Sequence, residues 1–162
     1  MSASLLSLYR RMARWPAGHW LFSRAVCFRA PYFSTISPRF LALEPGRCEV
    51  RMRDRRRVHN HLGTVHAIAL CNLAELSAGV MAQASMPPGM RWIPKAMSVE
   101  YLGKAIGSMH AIAVPEVELA TQEASQEWPV GVQIADAQGA VVFRARIVMW
   151  VSRRKDGAVR AA

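Results

Sequence analysis

The chain has 162 residues, enough for one domain of ordinary size with a continuous core. Hydrophobic residues make up 52% of it and charged residues 20%, which excludes an intrinsically disordered protein. The net charge of +10 favours an anionic partner such as the phosphates of a carrier group, and solvated charged loops with a basic tail are the alternative interpretation. Nucleic acid is not the anion we expect, because no aromatic residues are interleaved with the basic ones and no nucleic-acid-binding motif is present.

The first segment of the chain is interpreted as helical. Apolar residues recur at helical spacing between Leu5 and Trp15, with arginines between them, and a second short helix follows and ends before Pro31. We interpret residues 1–30 as an N-terminal helical cap laid over the main domain. No Asp or Glu occurs before Glu44, so an organellar transit peptide is an alternative interpretation of the same residues.

Beyond the cap the pattern changes to strands around one long helix. Pro45 and Gly46 mark a hairpin turn, and residues 64–84 form the longest helical pattern, in which Glu75 is the one charged residue. The expected strands are residues 40–43, 48–52, 91–102, 108–119, 130–136 and 140–151. A helix apolar on nearly every face must be buried, and a sheet wrapped round it buries it most simply. The sequence therefore predicts an α+β fold with an antiparallel sheet around one central helix.

No transmembrane segment is expected, because Glu75 interrupts the best uncharged run before it reaches about 18 residues. The three cysteines, Cys27, Cys48 and Cys71, are widely spaced and never form a C-x-x-C pattern. This spacing argues against a disulfide framework or a zinc site, and for a reducing compartment. We therefore expect a cytoplasmic protein.

Glu75 is the most informative single residue. Burying a carboxylate among Ala, Leu, Cys and Met side chains is costly unless the charge is paired, neutralised or used. A lone charge in such a helix tends to mark a functional site. The structural alternative is that Glu75 pairs with an arginine across a subunit contact or reaches the surface. Asn72, Glu75 and Gly79 share one helical face, and Gly79 is expected to leave room beside the carboxylate for a substrate or a partner backbone.

A polar cluster at residues 59–66 precedes the helix. Gly63 suits a tight entry turn, and Thr64 is the expected N-cap. Backbone N–H groups at a helix start are good donors to a developing oxyanion. His59 and His61 could suggest a metal, but no third ligand has the right spacing, so we expect none.

Helix geometry separates the two functional elements. Nine residues of helix place His66 and Glu75 about 13.5 Å apart and about half a turn round the axis, so they cannot meet within one subunit. A site that uses both needs His66 from one chain and Glu75 from another, as a two-fold dimer would supply.

The pattern Asn60-x-x-Gly63-x-x-His66-Ala67, followed by Glu75, resembles the signature of hotdog-fold thioesterases of the phenylacetate-pathway (PaaI-like) group. Residues 56–107 are similar to a poorly characterised branch of that superfamily, often labelled a domain of unknown function. The resemblance implies a hotdog domain over residues 31–152, followed by a basic tail at residues 153–162. It also implies a homodimer, which could pair into a tetramer.

The resemblance implies an acyl-CoA thioesterase whose site is shared by two subunits. Glu75 would attack the thioester or activate water, Asn60 would position the nucleophile or thioester, and His66 with the Ala67 N–H would polarise the carbonyl. The acyl group of the substrate would be joined through the thioester to CoA or to an acyl-carrier protein. No separate cofactor is expected. We expect the acyl group to enter an apolar channel beside the central helix. Its candidate lining residues are Met81, Met86 and Met97.

Exposed basic groups suit the phosphates of CoA, and the candidates are Lys104, Arg91 and the loop at residues 55–57. Two departures from the family pattern are present, and the one at Gly79, together with the extra N-terminal helices, favours an alternative function. Many relatives have His-Gly-Gly where this chain has His66-Ala67-Ile68, and many carry a hydroxyl or acid at the position of Gly79. The alternative is a non-catalytic acyl-CoA or acyl-carrier binding protein. A hotdog dehydratase would need a different spacing of histidine and acid.

Overall fold

The computed structural model describes residues 2–120 and 125–154 and contains three α-helices and six strands within them. The α-helices are α1 (Ser2–Met12), α2 (Gly18–Arg29) and α3 (Ala67–Ser85). The strands are β1 (Pro38–Glu44), β2 (Arg47–Met52), β3 (Met90–Tyr101), β4 (Met109–Pro115), β5 (Ser125–Ala135) and β6 (Val141–Arg153). Short 3-10 helices cover Pro31–Ile36 and Arg56–Val58.

The six strands form one antiparallel sheet in the order β1-β2-β4-β5-β6-β3. The predicted hairpin joins β1 and β2, and Gly46 takes the positive φ of 80° that its turn requires. Strand β6 shows how the sheet builds its core, because alternate residues point inward against α3. Those inward residues are Phe143, Ala145, Ile147, Met149 and Val151. The predicted α+β class, with an antiparallel sheet around one central helix, is confirmed.

Helix α3 lies against the inner face of the sheet, and 61% of its apolar stretch is buried. Among the described helices, α3 alone has the length and composition of a membrane-spanning segment. Its buried faces carry large side chains such as Leu73, Leu76 and Met81, which leave almost no surface exposed. One stripe of the helix is nevertheless uncovered in the single chain, so the expectation of burial on nearly every face is only partly right.

The N-terminal helices pack on the same side of the sheet as α3. Tyr9 of α1, Phe22 of α2 and Phe40 of β1 form an edge-to-face series, with ring centroids 5.0 and 5.1 Å apart. Ser23 Oγ donates to the carbonyl of His19 at 2.6 Å and accepts from the N–H of Phe40 at 2.9 Å. These contacts join the cap to the sheet, while the boundaries at residues 30 and 152 stay a prediction.

The expected basic tail at residues 153–162 is described only at its start. Strand β6 runs to Arg153, and the N–H of Arg154 donates to the carbonyl of Gly89 at 2.8 Å. The rest of that segment lies outside the described residues.

Candidate active site

Glu75 lies near the middle of α3 between the buried residues Ala74 and Leu76, yet its own side chain is exposed. It shares the uncovered stripe of the helix with Ile68 and Cys71. The expected burial of this carboxylate is therefore wrong for the single chain, because the sheet and the cap cover the other faces of α3. Among the described residues Glu75 forms no ion pair, so no arginine neutralises it.

An apolar pocket of about 530 Å³ opens beside Glu75. Its walls come from α1, α2, the 3-10 helix after α2, α3 and the start of β3. None of Met81, Met86 and Met97 lines it, and the first two are buried in the core. The apolar channel expected from the sequence thus exists beside α3, but the cap helices form it and the methionines do not.

Gly79 borders the pocket beside Glu75, and the indole ring of Trp92 lies against it. A Cβ at Gly79 would lie 2.9 Å from Cη2 of Trp92, so the absence of a side chain here admits the indole ring. Trp92 Nε1 donates to Gln83 Oε1 at 3.2 Å, which fixes the ring against the helix. The expectation that Gly79 leaves room beside the carboxylate for a substrate or a partner backbone stays a prediction.

The loop before α3 is organised by the side chain of Asn60. Its Oδ1 accepts from the N–H groups of Leu62 at 2.9 Å and Thr64 at 3.2 Å, and its Nδ2 donates to Thr64 Oγ1 at 2.9 Å. Gly63 has a φ of 75°, as its predicted turn requires. In this structure the Asn60 amide is therefore engaged in holding the loop.

His66, and not Thr64, is the N-cap of α3. The Nδ1 atom of His66 accepts from the N–H of Ile68 at 3.1 Å, so in the neutral ring the proton is on Nε2. The imidazole is exposed, which leaves this Nε2–H free to donate to a bound group. The N–H of Ala67 in the first helical turn has no acceptor in the described part of the chain. The start of α3 therefore has two hydrogen-bond donors, the His66 Nε2–H and the Ala67 N–H, that no described residue uses.

His66 and Glu75 lie on the same helix, as the spacing predicted, and nine residues separate them by about 13.5 Å. A single chain therefore does not bring Glu75 together with His66 and the Ala67 N–H. The structure forms two separate clusters. The first contains the loop residues and the start of α3, and the second contains Glu75 and the apolar pocket.

Two polar features near Glu75 had no signal in the sequence. Cys71 Sγ lies 3.3 Å from the hydroxyl of Tyr101, and this hydrogen bond together with partial burial raises the pKa of Tyr101 to about 12. Asn72 Nδ2 donates to Thr35 Oγ1 at 3.0 Å, whereas its buried Oδ1 has no partner in the described ranges. A buried acceptor without a partner is costly and often marks the position of a water or a ligand group.

The candidate phosphate-binding residues are all exposed. Lys104 lies in the segment after β3 and forms no ion pair with any described residue, and the same holds for the arginines at 55–57. Arg91 Nε donates to Ser152 Oγ at 3.3 Å, and its other donors remain available. In the described ranges, no group of three or more His, Cys, Asp or Glu side chains is arranged to hold a metal.

Comparison with known proteins identifies relatives of the whole chain. Residues 18–151 match the family described as a domain of unknown function, DUF4442. The solved structure of the genomics protein APC5556 is 42% identical, and the match covers 94% of this chain and 99% of that one, with a TM-score of 0.78. A search of curated proteins found no match to the sequence.

Two further solved structures carry a named activity. PA5026 of Pseudomonas aeruginosa, described as a protein of unknown function and probable thioesterase, is 24% identical over 79% of this chain and 91% of that one, with a TM-score of 0.71. Thioesterase HI1161 of Haemophilus influenzae is 16% identical over 78% of this chain and 86% of that one, with a TM-score of 0.69. At these identities the two structures show the fold alone, and the predicted hotdog fold is confirmed.

Proposed function

Since the chain belongs to the DUF4442 family, within the hotdog-fold thioesterase superfamily expected from its sequence, we propose its function from the site itself. We propose that it is a thioesterase that hydrolyses acyl-CoA or acyl-carrier thioesters at a site shared between two subunits. One observation carries this proposal. A carboxylate that forms no ion pair with the described residues, Glu75, stands exposed on the central helix beside an apolar pocket.

The chemistry follows from the two clusters. His66 Nε2–H and the Ala67 N–H of one subunit donate to the thioester carbonyl and stabilise the oxyanion that forms on it. Glu75 of the other subunit removes a proton from water, whose oxygen attacks the carbonyl carbon. The carbon–sulfur bond then breaks and the sulfur takes up the proton, which gives a carboxylic acid and a free thiol. In the alternative route the carboxylate attacks the carbonyl carbon itself, the thiol leaves with a proton from solvent, and water then hydrolyses the resulting anhydride to give the same products.

The open edge of the sheet supports a dimer. Strand β3 is the outermost strand next to β6, and it is twelve residues long. Long edge strands with unpaired backbone groups tend to pair with another chain. Three large apolar side chains of this strand are exposed, with exposed fractions of 58% for Ile93, 41% for Met97 and 52% for Tyr101, and they alternate with exposed polar ones such as Lys95 and Glu100.

Two-fold pairing along β3 would also complete the site. We propose that this pairing sets the two copies of α3 antiparallel, with the start of one helix facing the middle of the other. Ile68, which is 56% exposed on the uncovered stripe, would then be covered by the partner subunit. The same pairing would bury Glu75 beside the donors of the partner. The dimer therefore restores the buried carboxylate that the sequence indicated and the single chain lacks.

The exposed basic groups fit the carrier end of the substrate. We propose that Lys104, Arg91 and the arginines at 55–57 bind the phosphates of CoA, because they are exposed and form no ion pair with a carboxylate in the described part of the chain. We also propose a cytoplasmic location, since Cys27, Cys48 and Cys71 are all free thiols.

A second function, acyl-thioester binding without hydrolysis, is favoured by one observation. The Oδ1 of Asn60 already accepts two backbone N–H groups and its Nδ2 donates to Thr64 Oγ1, so only one amide N–H is left to orient a water or the thioester. Trp92 covers Gly79, where many relatives carry a hydroxyl or acid. A binding protein would need the pocket and the basic groups but not an oriented water.

Hydrolysis assays with purified protein and a series of acyl-CoA thioesters test the proposal. Replacing Glu75 by glutamine keeps the shape and removes the base, so kcat/KM should fall by a factor of about 10² to 10⁴. Glu118→Gln is the matched control, because Glu118 is exposed and makes no ion pair among the described residues. Equal rates for the wild type and Glu75→Gln would remove Glu75 from the mechanism. Tight binding of acyl-CoA without turnover would establish the second function instead.

A further inference from the structure

The pocket beside Glu75 has a distinct chemical character. The residues that line it are almost all apolar, and they come from both cap helices as well as from α3. Four lining residues carry polar groups, namely Arg29, Glu75, Gln83 and Trp92. Gln83 Oε1 is engaged by Trp92 Nε1, and Arg29 and Glu75 are exposed. An occupant of this pocket therefore needs an apolar body, with any polar group at the end near Glu75.

The dimensions of the pocket limit the occupant. Its α3 wall runs from Glu75 to Gln83, eight residues or about 12 Å along the helix axis. A carbon–carbon bond is about 1.5 Å long, and the zigzag of an extended alkyl chain shortens the advance per bond along the chain axis. The wall of about 12 Å therefore accommodates an alkyl chain of about eight to ten carbons. The volume of about 530 Å³ falls in the range of about 300–1,000 Å³ that is usual for small-molecule sites.

Trp92 and the cap set the shape of this space. The indole ring lies against Gly79 on one side of the pocket, while Ala25 and Val26 of α2 form another side. Both α2 residues are partly exposed because the pocket borders them. Small side chains at these positions leave the space open, and a larger one would fill it.

We propose that this pocket binds the acyl chain of the substrate, and that the cap helices select straight apolar chains of about eight to ten carbons. The inference rests on the proposed function, because it takes the reacting carbonyl to lie at the Glu75 end of the pocket. The thioester stands at the exposed mouth, the carrier extends toward solvent, and the alkyl chain runs along α3 toward Gln83. The cap is then part of the substrate site and sets the chain-length preference.

Hydrolysis of straight-chain acyl-CoA thioesters of increasing length tests this preference. Each methylene that enters the pocket should raise kcat/KM about fourfold, and the gain should stop near eight to ten carbons. Ala25→Phe should lower kcat/KM for the longest of these chains by at least tenfold and leave the shortest chains unchanged. Ala25→Leu should give a smaller loss of the same kind. Leu21→Phe is the control on the same helix, since Leu21 is exposed and does not line the pocket.

Calorimetric binding of S-alkyl-CoA thioethers, which cannot be hydrolysed, separates this inference from the proposed function. One possible result is that no thioester is hydrolysed, while the affinity for thioethers rises with chain length and stops rising at a shorter chain in Ala25→Phe. The proposed function then fails, and the assignment of the pocket to the acyl chain stands. If hydrolysis occurs with no dependence on chain length, the assignment is overturned. An equal loss for every chain length in Ala25→Phe would overturn it as well.

Discussion

Replacing Gly79 by alanine changes the free energy of unfolding in two opposite ways. It stabilises the helix, and it crowds the contact with Trp92. An alanine in the interior of a helix is more stable than a glycine by about 0.8–1.0 kcal/mol. The new Cβ, however, would stand 2.9 Å from Cη2 of Trp92, well inside the usual carbon–carbon separation of about 3.5–4.0 Å. The indole ring must therefore move by roughly the difference, about 0.6–1 Å.

The cost of that movement follows from the surroundings of Trp92. Overpacking typically costs about 1–3 kcal/mol, and the low end applies here because the ring can move into the adjoining pocket. Movement would also stretch the 3.2 Å hydrogen bond from Trp92 Nε1 to Gln83. We expect Gly79→Ala to leave the free energy of unfolding unchanged or to lower it by up to about 1 kcal/mol.

A double-mutant cycle measured by urea unfolding isolates the contact. Trp92→Phe removes the clashing ring atom, so Gly79→Ala in that background should stabilise the protein by up to about 1 kcal/mol. The coupling free energy between the two positions should be about 1–2 kcal/mol. If Gly79→Ala has the same effect in both backgrounds, Trp92 does not pack on Gly79 and the described shape of the pocket is incorrect.

Two further predictions concern the fold and the loop. Burial raises the pKa of the Cys48 thiol, so above about pH 9 the unfolded chain loses a proton that the folded chain keeps. This one proton should lower the unfolding free energy by about 1.4 kcal/mol per pH unit, and Cys48→Ala should remove that share of the slope in urea unfolding between about pH 9 and 11. The raised pKa values of the Cys27 thiol and of Tyr101 should keep a remaining slope of the same sign in that variant. Asn60→Ala should destabilise by about 1–3 kcal/mol through three lost hydrogen bonds, and Asn60→Asp by less, because it keeps both acceptor contacts. Equal thermal stability of these two variants would contradict the role of Asn60 in the loop.

The secondary structure was largely predictable because its signals are local. Pro45 and Gly46 mark the hairpin turn, and the apolar run around Glu75 marks the central helix. The sequence predicts Thr64 as the N-cap of the helix, because a hydroxyl is a common cap. In the structure the helix starts two residues later, where His66 Nδ1 caps it, and Thr64 bonds to Asn60.

The shape of the site was not predictable, because it depends on contacts between distant elements. Nothing near Gly79 in the sequence indicates that Trp92 lies against it. The periodicity of apolar residues predicts the cap helices. It does not indicate that Leu8 and Val26 of these helices line a pocket together with Glu75. Periodicity also gives no information on which stripe of an apolar helix the sheet leaves uncovered, so the exposure of Glu75 in one chain was visible only in three dimensions.

The shared site is tested most directly by combining two inactive variants in one dimer. Glu75→Gln and His66→Ala are each expected to be nearly inactive in acyl-CoA hydrolysis. In a mixed dimer, one site joins the intact Glu75 of one chain to the intact His66 of the other. Co-expression in equal amounts should therefore restore roughly a quarter of the wild-type activity, since about half of the dimers are mixed and each has one intact site. A mixture as inactive as either variant alone, with mixed dimers shown to be present, would contradict the shared site.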